Sequence, residues 1–167
     1  MAFPEPIRAQ YKRLQEYRSA SNLLVDRQAL RWTLPNGDLQ SYTDFCPDAW
    51  KVMLVVRDGS GAALREREIF SEIMGNGLFS NICFLVLSVD VSEVGWHASL
   101  AKRRSIDEKL VWLGNSPRNY EALGISAIPQ IVALGPNGEL STNIRSLPSQ
   151  GLASELERML FPFRRGQ

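Results

Sequence analysis

The fold of this chain is decided by residues 120–140, which read YEALGISAIPQIVALGPNGEL. The first part predicts a short helix that ends at Gly124, because two apolar residues form a small buried face just before that glycine. The apolar run over 128–134 is typical of a strand, and the turn-forming residues 135–138 follow it directly. We therefore expect a helix, a strand, a tight turn and a second, antiparallel strand over 139–144.

Two further apolar runs precede this stretch. Residues 51–56 (KVMLVV) and 82–89 (ICFLVLSV) lack strict alternation, as expected of strands that are buried on both faces. Between them, apolar residues recur at helical spacing from Ala62 until Gly75 ends the pattern. A strand, a crossover helix and a second strand form a right-handed unit, so these two strands should be parallel.

The remaining segments complete an α/β order. Patterns of apolar residues predict an N-terminal helix, a hairpin, a helix, a short strand and a closing helix, over about residues 6–19, 30–42, 92–104, 109–113 and 152–160 respectively. This order predicts a central mixed β-sheet flanked by helices. We divide the chain into an N-terminal helical extension over 1–29 and one domain over 30–167.

Composition and charge exclude several classes of function. Nineteen basic and eighteen acidic side chains give a net charge of +1 without a basic block, so nucleic acid is not an expected partner. The apolar runs are far shorter than the roughly 20 residues that a transmembrane helix needs. The two cysteines, Cys46 and Cys83, leave disulfide pairing open, and a single histidine, His97, offers no cysteine-histidine zinc cluster. We expect neither a metal nor a cofactor.

Residues 120–140 resemble the thioredoxin-like superfamily, and more specifically its TlpA-like, envelope-associated branch. The resemblance covers about residues 30–160: residues 32–37 resemble the opening hairpin, and residues 52–56 resemble the strand that leads to the active site. It implies a thioredoxin-like fold, with a cis bond between Ile128 and Pro129 beside a shallow groove. It also implies a location in the periplasm or cell envelope.

The redox motif of that family is missing from this sequence. The family carries C-x-x-C at the start of the helix after the first core strand, where the helix dipole lowers the pKa of the attacking thiol. Gly61 and Leu64 stand at those positions, and residues 47–82 contain no cysteine. We name the corresponding run the vestigial active-site loop; it consists of Asp58, Gly59, Ser60, Gly61, Ala62, Ala63 and Leu64.

The leading hypothesis from the sequence is a redox-inactive thioredoxin-like domain. It would act as a binding or accessory module of the bacterial cell envelope, with a protein or peptide held between the vestigial active-site loop and Ile128–Pro129. One alternative is a protein related to thiol-disulfide oxidoreductases that uses its non-standard cysteines. Against this, neither Cys46 nor Cys83 is predicted at a helix start, and Cys83 fits a buried packing residue.

A second alternative is a nucleotide-binding enzyme. Its signal is the Gly-x-Gly at residues 59–61 between a strand and a helix, which is weak because Leu64 replaces a required small residue. The amides that open this helix could also receive an anion, with Arg65 or Arg67 nearby, but solvated arginines on a surface loop are the preferred interpretation.

Three isolated features carry no assigned chemistry. His97 is expected on a helix surface or in helix packing, and Trp96 and Trp112 are expected in the core. The aspartates Asp58, Asp90 and Asp107 are scattered at predicted loop edges, where aspartate commonly caps or turns the chain.

Overall fold

The computed structural model describes residues 27, 29–57, 61–90, 92–101, 109–114 and 116–162. The helix predicted over 6–19 lies outside these residues, and the domain boundary near residue 30 stays a prediction. The described residues form six strands, β1 to β6, with bounds Arg31–Thr33, Leu39–Ser41, Trp50–Val56, Ile82–Ser88, Leu110–Trp112 and Gln130–Leu134. They also form four α-helices, α1 to α4, with bounds Gly61–Met74, Glu93–Ala101, Pro117–Leu123 and Leu152–Leu160.

The six strands make one mixed sheet in the order β2-β1-β5-β4-β3-β6. Strands β3 and β4 are parallel and in register from the pair Trp50 and Ile82 to the pair Val56 and Ser88. Strand β5 continues the parallel part beside β4, whereas β6 runs antiparallel to β3 and β1 runs antiparallel to β5. The predicted crossover unit, opening hairpin and mixed sheet are confirmed.

The core lies on both faces of the two central strands. On one face Val52, Leu54 and Val56 pack in a cluster that includes residues of α1 and α4. On the other face Met53 and Val55 pack in a second cluster, with side chains from β1, β4 and the segment after β2. Because both faces are covered, the apolar run over residues 51–56 does not alternate with polar residues.

The strand predicted over 139–144 does not form. The turn after β6 is present, but beyond it only an isolated bridge joins Leu134 to Leu140, with the Ser141 amide donating to the Ala133 carbonyl at 2.9 Å. The hydroxyl of Ser141 then accepts hydrogen bonds from the amides of Asn143 and Ile144, each at 3.2 Å. Such a side-chain turn bends the chain away from the sheet edge.

The bent segment after β6 is held by Glu155 on α4. One carboxylate oxygen accepts from the amides of Arg145 and Ser146 at 2.9 and 3.0 Å, and the other accepts from the Ser146 hydroxyl at 2.5 Å. Burial raises the pKa of Glu155, but these three hydrogen bonds and the charge of Arg158 together outweigh it and lower the pKa.

Arg27 ties the segment before β1 to the far end of the domain. Its buried guanidinium donates to the carbonyl of Gly138 at 2.9 Å and to the carbonyl of Ala122 at 3.0 Å. Burial lowers the pKa of Arg27, and interaction with Tyr42 acts in the opposite direction. Arg27 thus satisfies two carbonyls that come from the turn after β6 and from the end of α3.

Candidate functional site

The vestigial active-site loop lies at the carboxyl end of β3. Asp58, Gly59 and Ser60 lie outside the described residues, and Gly61 opens α1 directly after them. Ala63 is buried in the core, whereas Leu64 points outward with 61% of its surface exposed. The helix predicted after β3 is present and begins at Gly61, and the assignment of these residues to a vestigial active site stays a prediction.

The loop over residues 124–130, which contains Pro129 and is called the proline loop below, lies at the same end of the sheet. The bond between Ile128 and Pro129 is cis, as the resemblance implied. Gln130 fixes the loop: its side-chain oxygen accepts from the amides of Ser126 and Ala127 at 2.9 and 3.1 Å, and its nitrogen donates to the Gly124 carbonyl at 2.9 Å.

The sheet register places the proline loop and the end of β3 at the same end of the sheet. Gln130 pairs with Val55 across β3 and β6, so the proline loop lies beside the end of β3 that leads into α1. Ile128 is 38% exposed there. That a peptide binds at this edge stays a prediction.

The two cysteines meet at the opposite end of the sheet. Cys83 is the second residue of β4, and Cys46 lies in the loop that precedes β3. Their sulfurs form a disulfide with the Cα atoms 6.3 Å apart, across 37 positions of sequence. The pairing was open from sequence. The structure keeps Cys83 buried, as expected, but gives it a covalent partner.

The backbone around Cys46 has an uncommon conformation. Cys46 and Asp48 have φ values of 46° and 65°, in the left-handed region that non-glycine residues seldom adopt. The Ala49 amide donates to the Cys46 carbonyl at 3.3 Å and closes the turn between them. This turn carries Cys46 to the start of β4.

A surface cavity of about 320 Å³ opens onto the disulfide. Its lining includes both cysteines, two aromatic side chains of the core and one lysine, namely Cys46, Cys83, Phe79, Phe84 and Lys109. Cys83 is only 7% exposed, whereas Cys46 is half-buried. Cys46 is therefore the more exposed residue of the pair.

Two lysines lie around the disulfide. Lys51 of β3 pairs in register with Cys83 of β4, and its ammonium stands 5.3 Å from the centre of the Tyr42 ring. Lys109 is exposed, lines the same cavity as the cysteines, and places its ammonium 5.1 Å from the centre of the Phe45 ring. Lys51 is buried, whereas water screens the charge of the exposed Lys109.

The disulfide and the predicted groove are far apart. Both cysteines lie at the amino ends of parallel strands, whereas the vestigial loop follows the carboxyl end of β3. A strand of seven residues spans roughly 20 Å at about 3.3 Å per residue. The groove and the disulfide are therefore two separate sites.

The other predicted residues have mainly structural roles. His97 faces Glu93 at 3.5 Å on the surface of α2, and Trp96 is buried and stacks against Trp112, as expected. Asp90 lies at a loop edge just after β4, as expected, where it is buried and accepts from the Ser88 hydroxyl at 2.7 Å.

The two arginines near the start of α1 differ in burial. Arg65 is exposed, but Arg67 is buried, so the interpretation of both as solvated is wrong for Arg67. The nucleotide-binding alternative also fails, because that fold requires a doubly wound parallel sheet and β6 is antiparallel to β3.

Two further findings concern metal ions and membranes. Within that part of the chain, no three histidine, cysteine, aspartate or glutamate side chains are grouped so that they could hold a metal ion. No helix among the same residues has the length and apolar character needed to span a bilayer.

The comparisons with known proteins define the fold. No protein-family model matches the sequence, and no curated protein matches it. Among solved structures, a candidate thiol-disulfide oxidoreductase from Bacteroides vulgatus is similar over 78% of this chain and 91% of its own, with 16% identity and a TM-score of 0.67.

Two other solved structures are similar to about the same degree. The exposed lipoprotein thioredoxin of Streptococcus pneumoniae matches 77% of this chain and 98% of its own, at 12% identity and a TM-score of 0.61. The protein dsbF of MTB, solved in mixed oxidized and reduced forms, matches 82% and 96%, at 9% identity and a TM-score of 0.61. The fold is thioredoxin-like.

These neighbours share the fold with this chain at 9–16% identity, and the described cysteines of this chain are joined in a disulfide.

Proposed function

We propose that this protein is a thiol-disulfide exchange protein of the thioredoxin fold in which Cys46 and Cys83 act in place of the missing C-x-x-C pair. The observation that carries the proposal is the disulfide itself, because a surface cavity reaches it and the buried Lys51 pairs in register with Cys83. It favours the alternative with non-standard cysteines over the redox-inactive module. The site is placed at the amino ends of β3 and β4, so it would serve partners that approach a different face from the family's usual groove.

The proposed reaction moves two electrons from a partner dithiol to the disulfide. A partner thiolate attacks the more accessible Cys46 sulfur, a new sulfur-sulfur bond forms, and the bond to Cys83 breaks with Cys83 leaving as thiolate. The second partner thiolate then attacks the mixed disulfide at the partner's own sulfur, and Cys46 leaves. The partner is oxidised to a disulfide, and the two protons of its thiols pass to solvent or to the two new cysteine thiols.

An insulin-reduction assay tests the proposal. With dithiothreitol as reductant, the protein should accelerate insulin reduction above the rate of dithiothreitol alone, and Cys46→Ser and Cys83→Ser should each abolish the acceleration. The matched control is Ser80→Ala, which changes another residue of the cavity lining without removing a sulfur. A wild-type rate equal to that of dithiothreitol alone would contradict the proposal.

A second candidate function is peptide binding at the predicted groove. It is supported by two exposed apolar side chains, Leu64 and Ile128, which flank the edge where β3 leads into α1. Leu64→Asp combined with Ile128→Asp should weaken binding of extended apolar peptides by about a hundredfold or more, because each change removes about 1.5 kcal/mol or more of apolar burial and about 1.4 kcal/mol is tenfold in affinity. Leu39→Asp, at a similarly exposed position on β2, serves as the control.

We further propose a TlpA-like identity and a location in the bacterial cell envelope. The support is the resemblance of residues 120–140 and the likeness to a lipoprotein thioredoxin described as exposed. Disulfides persist in oxidising compartments outside the cytosol, which agrees with a paired Cys46 and Cys83. Fractionation of the source cells with an antibody against the protein would test the location.

A further inference from the structure

Lys51 occupies an unusual place for a lysine. It is 3% exposed and lies in a central strand whose other side chains are almost all buried. Positions along a strand alternate between faces, so Lys51 shares its face with Met53 and Val55. By the same rule Cys83 shares its face with Leu85, and Met53, Val55 and Leu85 belong to one core cluster.

The register places Lys51 and Cys83 side by side. They are directly paired across the parallel strands β3 and β4, and both point to the same face of the sheet. Cross-strand neighbours on one face have Cβ atoms about 5 Å apart, within reach of a lysine side chain. The ammonium of Lys51 also lies over the ring of Tyr42, 5.3 Å from its centre.

We propose that Lys51 is a positioning residue that stabilises the Cys83 thiolate when the disulfide opens. The inference rests on the exchange reaction proposed above. It names the group that stabilises the negative charge on the leaving sulfur. When a thiol attacks Cys46, negative charge develops on the Cys83 sulfur in a buried setting, where a neighbouring cation acts with little screening by water. The leaving thiol of lower pKa departs faster, so Lys51 would accelerate the first step.

Other charged and titratable groups around the disulfide are accounted for. Lys109 lines the cavity from the chain segment before β5, but it is exposed and its field is screened. Asp48, in the loop of Cys46, raises the pKa of Lys51 and partly offsets the larger lowering caused by burial. Burial raises the pKa of Tyr42, which keeps its phenol neutral at physiological pH.

The test is a thiolate titration of reduced single-cysteine proteins. In Cys46→Ser the remaining Cys83 thiol is titrated by its absorbance near 240 nm, with and without Lys51→Met. We expect Lys51→Met to raise the pKa of Cys83 by about one unit, at the lower end of the shifts that a neighbouring opposite charge causes. Lys51→Arg should restore the pKa, since it restores the cation.

The matched control is Lys109→Met, which removes an exposed cation from the same cavity. It should shift the pKa of Cys83 by less than about 0.3 units, because water screens exposed charges. If Lys51→Met does not fold, Lys51→Gln replaces it with the same expected shift. A pKa of Cys83 that stays within 0.3 units of its value beside Lys51 would overturn the inference.

A negative titration and a negative insulin assay refute different claims. Loss of insulin reduction in the wild-type protein would refute the exchange function, whatever the pKa of Cys83. If the wild-type protein reduces insulin but Lys51→Met leaves the pKa of Cys83 unchanged, only the role of Lys51 is refuted. When both succeed, Lys51→Met should also slow the reduction of the oxidised protein by dithiothreitol, and Lys51→Arg should restore the rate.

Discussion

Removal of the disulfide should destabilise the protein by less than its loop length implies. In the chain-entropy description, a cross-link between residues 37 positions apart stabilises the folded state by about 3.8 kcal/mol at 25 °C. That value is what a purely structural disulfide between Cys46 and Cys83 would contribute.

The conformation of Cys46 reduces this contribution. A non-glycine residue in the left-handed region costs about 1–2 kcal/mol, and Cys46 has a φ of 46°. Once the bond is opened, Cys46 can relax to an ordinary conformation and recover this energy. We therefore expect the oxidised protein to be more stable than the reduced protein by about 2–3 kcal/mol, from the difference of these two estimates.

The assay is equilibrium unfolding in urea, followed by tryptophan fluorescence, of the oxidised and reduced protein. The variant Cys46→Ala/Cys83→Ala in the absence of reductant is the control for effects of the reductant itself. The slope of unfolding free energy against urea must also be compared, because a cross-link makes the unfolded state more compact. A difference of about 3.8 kcal/mol or more would refute the reasoning and identify the disulfide as a structural cross-link.

Three further predictions concern stability and pH. Arg27→Met should lower the free energy of unfolding by about 2 kcal/mol, because it leaves the carbonyls of Ala122 and Gly138 without their charged donor; thermal unfolding measures this. Glu155→Gln should cost about 1–2 kcal/mol at pH 7. Since the folded pKa of Glu155 is lowered, this contribution is present above the unfolded pKa, about 4.3, and is lost as pH falls through the folded pKa. Urea unfolding between pH 7 and 2.5 should show the variant and wild type converging, and a constant gap would contradict this. Lys51→Met should leave the stability of the oxidised protein unchanged or raise it by about 1 kcal/mol, since a buried cation is replaced by an apolar side chain of similar length. A loss above 2 kcal/mol would show that Lys51 is primarily structural.

Most of the sheet could be predicted because hydrophobic burial determines it. Apart from Lys51 and Ser88, the runs over 51–56 and 82–89 are apolar, a pattern typical of strands with both faces covered. The strand predicted over 139–144 does not form, because the Ser141 hydroxyl and the Glu155 carboxylate hold this segment in a bent conformation. Periodicity does not report such specific hydrogen bonds.

The candidate site was only partly accessible from the sequence. The predicted parallel pairing of β3 and β4 already implied that Cys46 and Cys83 lie near the same end of the sheet. That signal could have indicated the disulfide. The disulfide depends on left-handed backbone at Cys46 and Asp48. Neither a cysteine nor an aspartate in a sequence is enough to predict that conformation. The partnership of Lys51 with Cys83 requires the strand register, which a sequence leaves open to shifts of one residue.

The most direct test of the exchange function is the equilibrium of the Cys46–Cys83 disulfide with glutathione. The protein is incubated in buffers of graded ratios of reduced to oxidised glutathione, quenched by alkylation, and its thiols are counted by mass. We expect half reduction at a potential between about −180 and −270 mV, the range spanned by protein disulfide isomerase and thioredoxin. A disulfide that stays oxidised to below about −300 mV would be a structural one and would contradict the proposal.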